Sequence, residues 1–208
     1  MENNKSKALT LTDWLRATFK GVTTPVAAFF NRLGLMPNTM TILGLVGNII
    51  AAYFLANGQM LVGGILVLLM GPVDALDGTM ARLRGEDGAF GAFVDSVSDR
   101  YSELFIIGGL IWYYSQQGES IFVMLAYAAA AGSVLVSYTR ARAQSLGKET
   151  KIGILTRVER YLVIAPTLIF NIAPVGLGII ALLSNITALQ RISDIRAQFR
   201  TSQSKPNQ

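Results

Sequence analysis

Residues 74–99 read DALDGTMARLRGEDGAFGAFVDSVSD, and this stretch decides the fold. Four aspartates, Asp74, Asp77, Asp95 and Asp99, stand inside or beside two apolar runs of bilayer-crossing length. A carboxylate in hydrocarbon is costly, so an intramembrane acid is a functional hypothesis by default. Asp74 and Asp77 are three apart and share one face of a helix, which Gly78 and Ala81 continue without bulk. Asp95 and Asp99 are four apart and share one face of the next. With a rise of about 1.5 Å per residue and the two helices antiparallel, Asp74 levels with Asp99 and Asp77 with Asp95. The spacing therefore predicts four carboxylates facing one pocket that opens toward the cytosol. Unneutralised, they repel one another. Two divalent cations remove the conflict, and such a pair clamps the attacking and leaving oxygens of a phosphoryl group. Arg82 borders the pocket and suits a further phosphate oxygen. Glu86, Asp87 and Glu103 read as solvated or salt-bridged acids.

Outward from this stretch, the 208 residues are 51% hydrophobic, apolar for a soluble domain and ordinary for a small membrane protein. Cys and His are both absent. Disulfides, thiolate sites and imidazole acid–base chemistry are excluded, and any metal needs hard oxygen ligands. Six segments approach the length needed to cross a bilayer, about 20 residues each: 39–57, 60–81, 92–114, 121–137, 154–171 and 175–192. Basic residues precede the first, follow the second, separate the fourth from the fifth and follow the sixth. The alternate connections near Asn57, Gln117 and Pro174 contain none. The positive-inside rule then puts both termini in the cytoplasm. The net charge of +5 thus reads as membrane topology and anionic ligands rather than nucleic acid. Residues 1–7 are polar and do not resemble a cleavable signal peptide.

Residues 12–33 mix Trp14, Phe19, Val22, Val26 and Phe29 with Arg16, Lys20 and Arg32, the pattern of an amphipathic helix in the cytoplasmic interface, capped by Thr12 or Asp13. The expected organisation is a cytoplasmic N-terminus with this helix (1–34), a six-helix transmembrane catalytic domain (35–200) and a disordered tail (201–208). The fold class is an all-α integral membrane protein. A second basic group, Arg140, Arg157, Arg160 and Arg191, lies at three helix ends and suits an acceptor that itself carries a phosphate.

The string Asp74-x-x-Asp77-Gly78-x-x-Ala81-Arg82, then Gly91, Asp95 and Asp99 at fixed spacings, resembles the signature of the CDP-alcohol phosphatidyltransferase family. That resemblance implies six transmembrane helices, an interfacial helix and a homodimer in the cytoplasmic membrane. It implies transfer of a phosphatidyl group from CDP-diacylglycerol to an alcohol, with loss of CMP. Asp74, Asp77, Asp95 and Asp99 are then the residues at two Mg²⁺ or Mn²⁺ ions, with Asp99 the general base. Asp74, Asp77, Gly78, Ala81 and Arg82 look like the CDP-binding face, with Pro37, Asn38 and Thr41 as an additional nucleotide contact. The stretches Thr23-Thr24-Pro25, Gly34-Leu35, Ser137-Tyr138-x-x-Ala141-Arg142-Ala143 and Glu159-Arg160 resemble the phosphatidylinositol-phosphate synthase branch, whose acceptor is inositol 1-phosphate. Arg140 and Val158 depart from its usual Lys and Pro. The competing acceptor is glycerol 3-phosphate. A divalent-cation transporter is the remoter alternative, disfavoured by the apolar outer halves at 61–70 and 106–111.

Overall fold

The computed structural model describes residues 11–86, 88–150 and 152–203, with side chains described from 18 to 201. Every regular element among them is helical: α1 (Leu11–Arg32), α2 (Pro37–Ala56), α3 (Met60–Arg84), α4 (Ala89–Gln116), α5 (Ser120–Ser145), α6 (Arg157–Ile169) and α7 (Ala173–Gln203). The boundaries follow local chemistry. Pro37 opens α2, where its missing N–H leaves no intrahelical bond unmade. Gly85 closes α3 in a left-handed conformation (φ 68°) that returns the amides of Gly85 and Glu86 to the carbonyls of Arg82 and Ala81. Thr156 and Glu159 form a capping box that starts α6.

Helices α2, α4, α5, α7, α6 and α3 form a closed ring in that order, each packed mainly on its two neighbours. Two pairs matter for function. The acid-bearing α3 and α4 do not run along each other, because α2 lies between them. Helices α4 and α6 stand on opposite sides of the ring. Close approach is bought with small residues: a Cβ on Gly109 of α4 would stand 2.5 Å from the backbone oxygen of Ala52 on α2. The apolar core runs from Leu55 and Val67 through Ile106 and Leu110 to Leu168, Leu177 and Ile180. The outside is also apolar, with Ile42, Leu43, Leu61, Leu68, Leu69, Trp112 and Leu182 exposed. A surface of this kind belongs in lipid.

Among the described residues four helices, α2, α3, α5 and α7, are long and apolar enough to cross a membrane. The other two expected spans differ in instructive ways. Helix α4 is long (28 residues) but carries Asp95, Asp99, Arg100 and Glu103. Helix α6 has only 13 residues, about 20 Å at 1.5 Å per residue. It starts at Arg157 rather than near Ile154, because Thr187 Oγ1 on α7 accepts the amides of Ile154 and Leu155 and keeps them out of the helix.

Helix α1 is described from Leu11 to Arg32, and the side chains of Thr12 and Asp13, expected to cap it, lie outside the described set. It packs on α3 through Ala27, and Arg84 joins the two by donating to Asn31 Oδ1 (2.8 Å) and the Leu35 carbonyl (2.6 Å). Phe19, Val22 and Phe29 remain exposed. Trp14 and Arg16 have side chains outside the described set. Helix α7 continues to Gln203, three residues into the stretch expected as a tail. The remainder of that stretch, and Asp87, lie outside the described residues.

Candidate active site

The ring interior collects the charges that its wall helices carry. From α3, Asp74 Oδ2 accepts a hydrogen bond from Arg157 Nη2 at 2.6 Å. From α4, Asp99 Oδ1 pairs with the same nitrogen. Two carboxylates on different helices thus converge on one positive centre, which is the level pairing expected from the helical rise. Asp99 Oδ2 faces a second guanidinium, Arg100 Nη2, at 3.4 Å, and Arg100 Nη1 donates to Ser137 on α5. Asp77 is buried and accepts from Thr41 Oγ1 on α2 at 2.6 Å and from the Gly78 amide at 2.5 Å. Asp95 is half-buried and lies within electrostatic reach of Asp74, Asp77 and Asp99.

Helix α2 makes this arrangement possible although it stands between the acid helices. Gly44 sits opposite Asp74, and a Cβ there would overlap Asp74 Oδ1. The sequence offered no signal for this residue, one glycine among several in an apolar run. At the mouth, Gly91 of α4 faces Asn38 Oδ1 of α2; a Cβ at Gly91 would stand 3.6 Å from it. Pro37, Asn38 and Thr41 therefore flank the carboxylates. Gly78 leaves room for Arg82, whose Nη1 would lie 3.4 Å from a Cβ there. Arg82 is exposed and donates to Thr79 Oγ1 at 3.0 Å, and Ala81 is half-buried beside it.

The donor set suits a hard divalent cation. Every candidate ligand is a carboxylate oxygen, and Asp74 and Asp99 already share one cationic nitrogen between them. Among the described residues no three acids converge closely enough to hold an ion as they stand. Arg157 occupies the centre of the cluster.

The family model for CDP-alcohol phosphatidyltransferases matches residues 34–190. The chain belongs to the CDP-alcohol phosphatidyltransferase family. Phosphatidylinositol phosphate synthase of Streptomyces avermitilis is 33% identical over 203 residues, 90% of this chain and 83% of its own. Archaetidylinositol phosphate synthase of Pyrococcus horikoshii is 35% identical over 168 residues, 80% of this chain and 87% of its own. The fold superposes on phosphatidylinositol phosphate synthase of Mycobacterium tuberculosis with CDP-DAG bound at TM-score 0.79 and 30% identity, covering 84% of this chain and 93% of that one. For the same protein in complex with manganese and citrate the TM-score is 0.80 at 30% identity, with coverage of 84% and 88%. The molecule is therefore an enzyme, a CDP-alcohol phosphatidyltransferase, and its membrane helices surround the family's carboxylates.

Within this phosphatidyltransferase the four arginines expected at an acceptor phosphate separate into different environments. Arg140 is exposed at the end of α5. Arg157 lies on Asp74 and Asp99. Arg191 is buried and donates from Nε to the Ile152 carbonyl (3.0 Å) and from Nη1 to the Val136 carbonyl (2.6 Å), tying α7 to α5 and to the loop before α6. Arg160 departs from the expectation. It is 1% exposed and forms a two-point pair with Glu103 on α4, Nε to Oε1 at 2.5 Å and Nη2 to Oε2 at 3.0 Å. Its donors are committed to protein, so it is a buried ion-pair partner and not an open phosphate ligand. Glu103 is salt-bridged, as expected of it, although deep inside the ring.

Proposed function

We propose that this enzyme transfers the phosphatidyl group of CDP-diacylglycerol to inositol 1-phosphate and releases CMP. The observation that carries the reading is the single guanidinium of Arg157 on both Asp74 and Asp99, which puts a phosphate-seeking group beside the acids of the family signature. The names of the Streptomyces and Pyrococcus relatives support inositol phosphate as the acceptor.

Asp74, Asp77, Asp95 and Asp99 hold two Mg²⁺ or Mn²⁺ ions. When bound, these ions supply positive charge opposite the pyrophosphate oxygens. Thr41 keeps Asp77 oriented, and Pro37, Asn38, Gly78, Ala81 and Arg82 line the cytidine diphosphate. Arg157 moves from the acids to the acceptor phosphate, joined by Arg140 and by Arg191 at the cavity wall. That exchange frees Asp99 Oδ1 at the place where the acceptor arrives. The acceptor hydroxyl attacks the lipid-side phosphorus and gives its proton to Asp99. A new P–O bond forms there, the bond to the bridging oxygen breaks, and CMP leaves with that electron pair.

The working topology is six crossings with both termini and the active site at the cytosolic face of the cell membrane, α1 in the interface, and a homodimer. The distribution of charge supports the orientation: Arg32, Arg84, Arg140, Arg142 and Arg196 lie toward one end of the bundle, whereas the turns at 57–59, 117–119 and 170–172 have no basic residue.

The test is CMP release by the purified full-length protein with Mg²⁺ and CDP-diacylglycerol, offering inositol 1-phosphate, glycerol 3-phosphate, inositol or serine. Release with inositol 1-phosphate alone is the expected result. Release with glycerol 3-phosphate instead would move the acceptor assignment and keep the mechanism.

A further inference from the structure

Two ion pairs cross the ring from α4 to α6, and they form a ladder. Asp99 and Glu103 are four apart on α4, and Arg157 and Arg160 are three apart on α6, so each pair of neighbours shares a helix face. The mouthward rung, Asp99–Arg157, belongs to the reacting site. The inner rung, Glu103–Arg160, is buried at both ends and made twice over. Arg160 Nη1 also donates to the Leu155 carbonyl at 3.4 Å, so the same guanidinium holds the chain just before Arg157. Helix α6 otherwise packs on α3 and α7, and slightly on α1, and the amides of Ile154 and Leu155 are held by α7. Those contacts reach α4 only through α2 and α5, whereas the two ion pairs join α6 to α4 directly.

We propose that Glu103 is a positioning residue for the acceptor: by holding Arg160 it fixes α6 at the separation and register from α4 that presents Arg157 to the acceptor phosphate. Glu103 touches no substrate. Two features of the pair suit this role. When Arg157 leaves Asp99 for the phosphate, Glu103–Arg160 is the remaining ion pair across the ring among the described residues. Glu103 also holds Arg160 by both Nε and Nη2, so of the two guanidinium groups in the first turn of α6 it is Arg157 that is left to turn to the phosphate.

The inference rests on the acceptor reading above, and its test separates the two. CMP release is measured with full-length Glu103→Gln, Arg157→Lys and the double variant, varying CDP-diacylglycerol and inositol 1-phosphate in turn, with thermal unfolding in the same detergent. In Glu103→Gln the acceptor KM is expected to rise by about tenfold while the donor KM stays within about twofold, and the double variant is expected to be no worse than Arg157→Lys alone, since residues acting through one another are not additive. Equal effects on both substrates, an unchanged acceptor KM, or additive losses in the double variant would overturn the proposal. The exchange Glu103→Arg with Arg160→Glu guards against a folding defect in Glu103→Gln. A folded exchange variant with acceptor KM near wild type supports positioning; one with a raised acceptor KM shows that the identity of the charge at Arg160 matters directly and overturns it. A wild-type enzyme inactive with inositol 1-phosphate would fail the acceptor reading instead.

Discussion

Asp99 has both oxygens on guanidinium groups, Arg157 on one and Arg100 on the other. In the proposed mechanism Asp99 becomes available as a base when Arg157 leaves it for the acceptor phosphate. Asp99→Asn keeps the size of the side chain and removes its basicity. Turnover is expected to fall by about 10²- to 10⁴-fold while CDP-lipid binding is largely kept; equal loss of nucleotide and metal binding in calorimetry would make Asp99 chiefly a ligand. Arg160 has the opposite character. Its removal strands Glu103 as an unpaired buried acid, so Arg160→Ala is expected to cost about 3–5 kcal/mol of stability, read as a lowered unfolding temperature in detergent. The aspartates and arginines were legible in the sequence as residues; their partners were not. Arg157 and Asp74 are 83 positions apart, and Arg160 and Glu103 are 57 apart. Spacing along one helix shows which side chains share a face, and says nothing about which face on another helix they meet.

At the scale of helices, two glycines make the same point in different currencies. Gly44 of α2 faces the mobile carboxylate end of Asp74, whereas Gly109 of α4 faces the fixed backbone of Ala52. A methyl at Gly44 is expected to push Asp74 aside, weakening Mn²⁺ binding measured by titration with little change in unfolding temperature. A methyl at Gly109 must separate α2 from α4, and overpacking of this kind costs about 1–3 kcal/mol, so its unfolding temperature is expected to drop. If Gly44→Ala lowers stability and leaves Mn²⁺ affinity untouched, the gap it leaves for Asp74 serves packing alone. The succession of helices was readable from apolar runs separated by turn residues, although only four of those described are long and apolar enough to cross a membrane. The start of α6 was not, because Thr187 on another helix withholds Ile154 and Leu155 from it.

Across the whole molecule, the absence of cysteine makes orientation directly measurable. Single cysteines at Gln117 and at Gly147, introduced one at a time, are expected to react with a membrane-impermeant maleimide from opposite sides of sealed vesicles. Labelling of both from one side would overturn the proposed crossing pattern. The sequence alone determined the family, the all-helical membrane class and the level at which Asp74 meets Asp99, because helical period and hydrocarbon cost are local rules that act on neighbouring residues. Only the tertiary structure decided the order of helices around the ring, with α2 between α3 and α4 and with α6 facing α4 across the interior. It also decided that Arg157 stands among the acids while Arg160 is consumed by Glu103. These outcomes depend on which faces meet when six helices close on one another, and close packing of small residues and burial of charge select that arrangement over the whole chain at once.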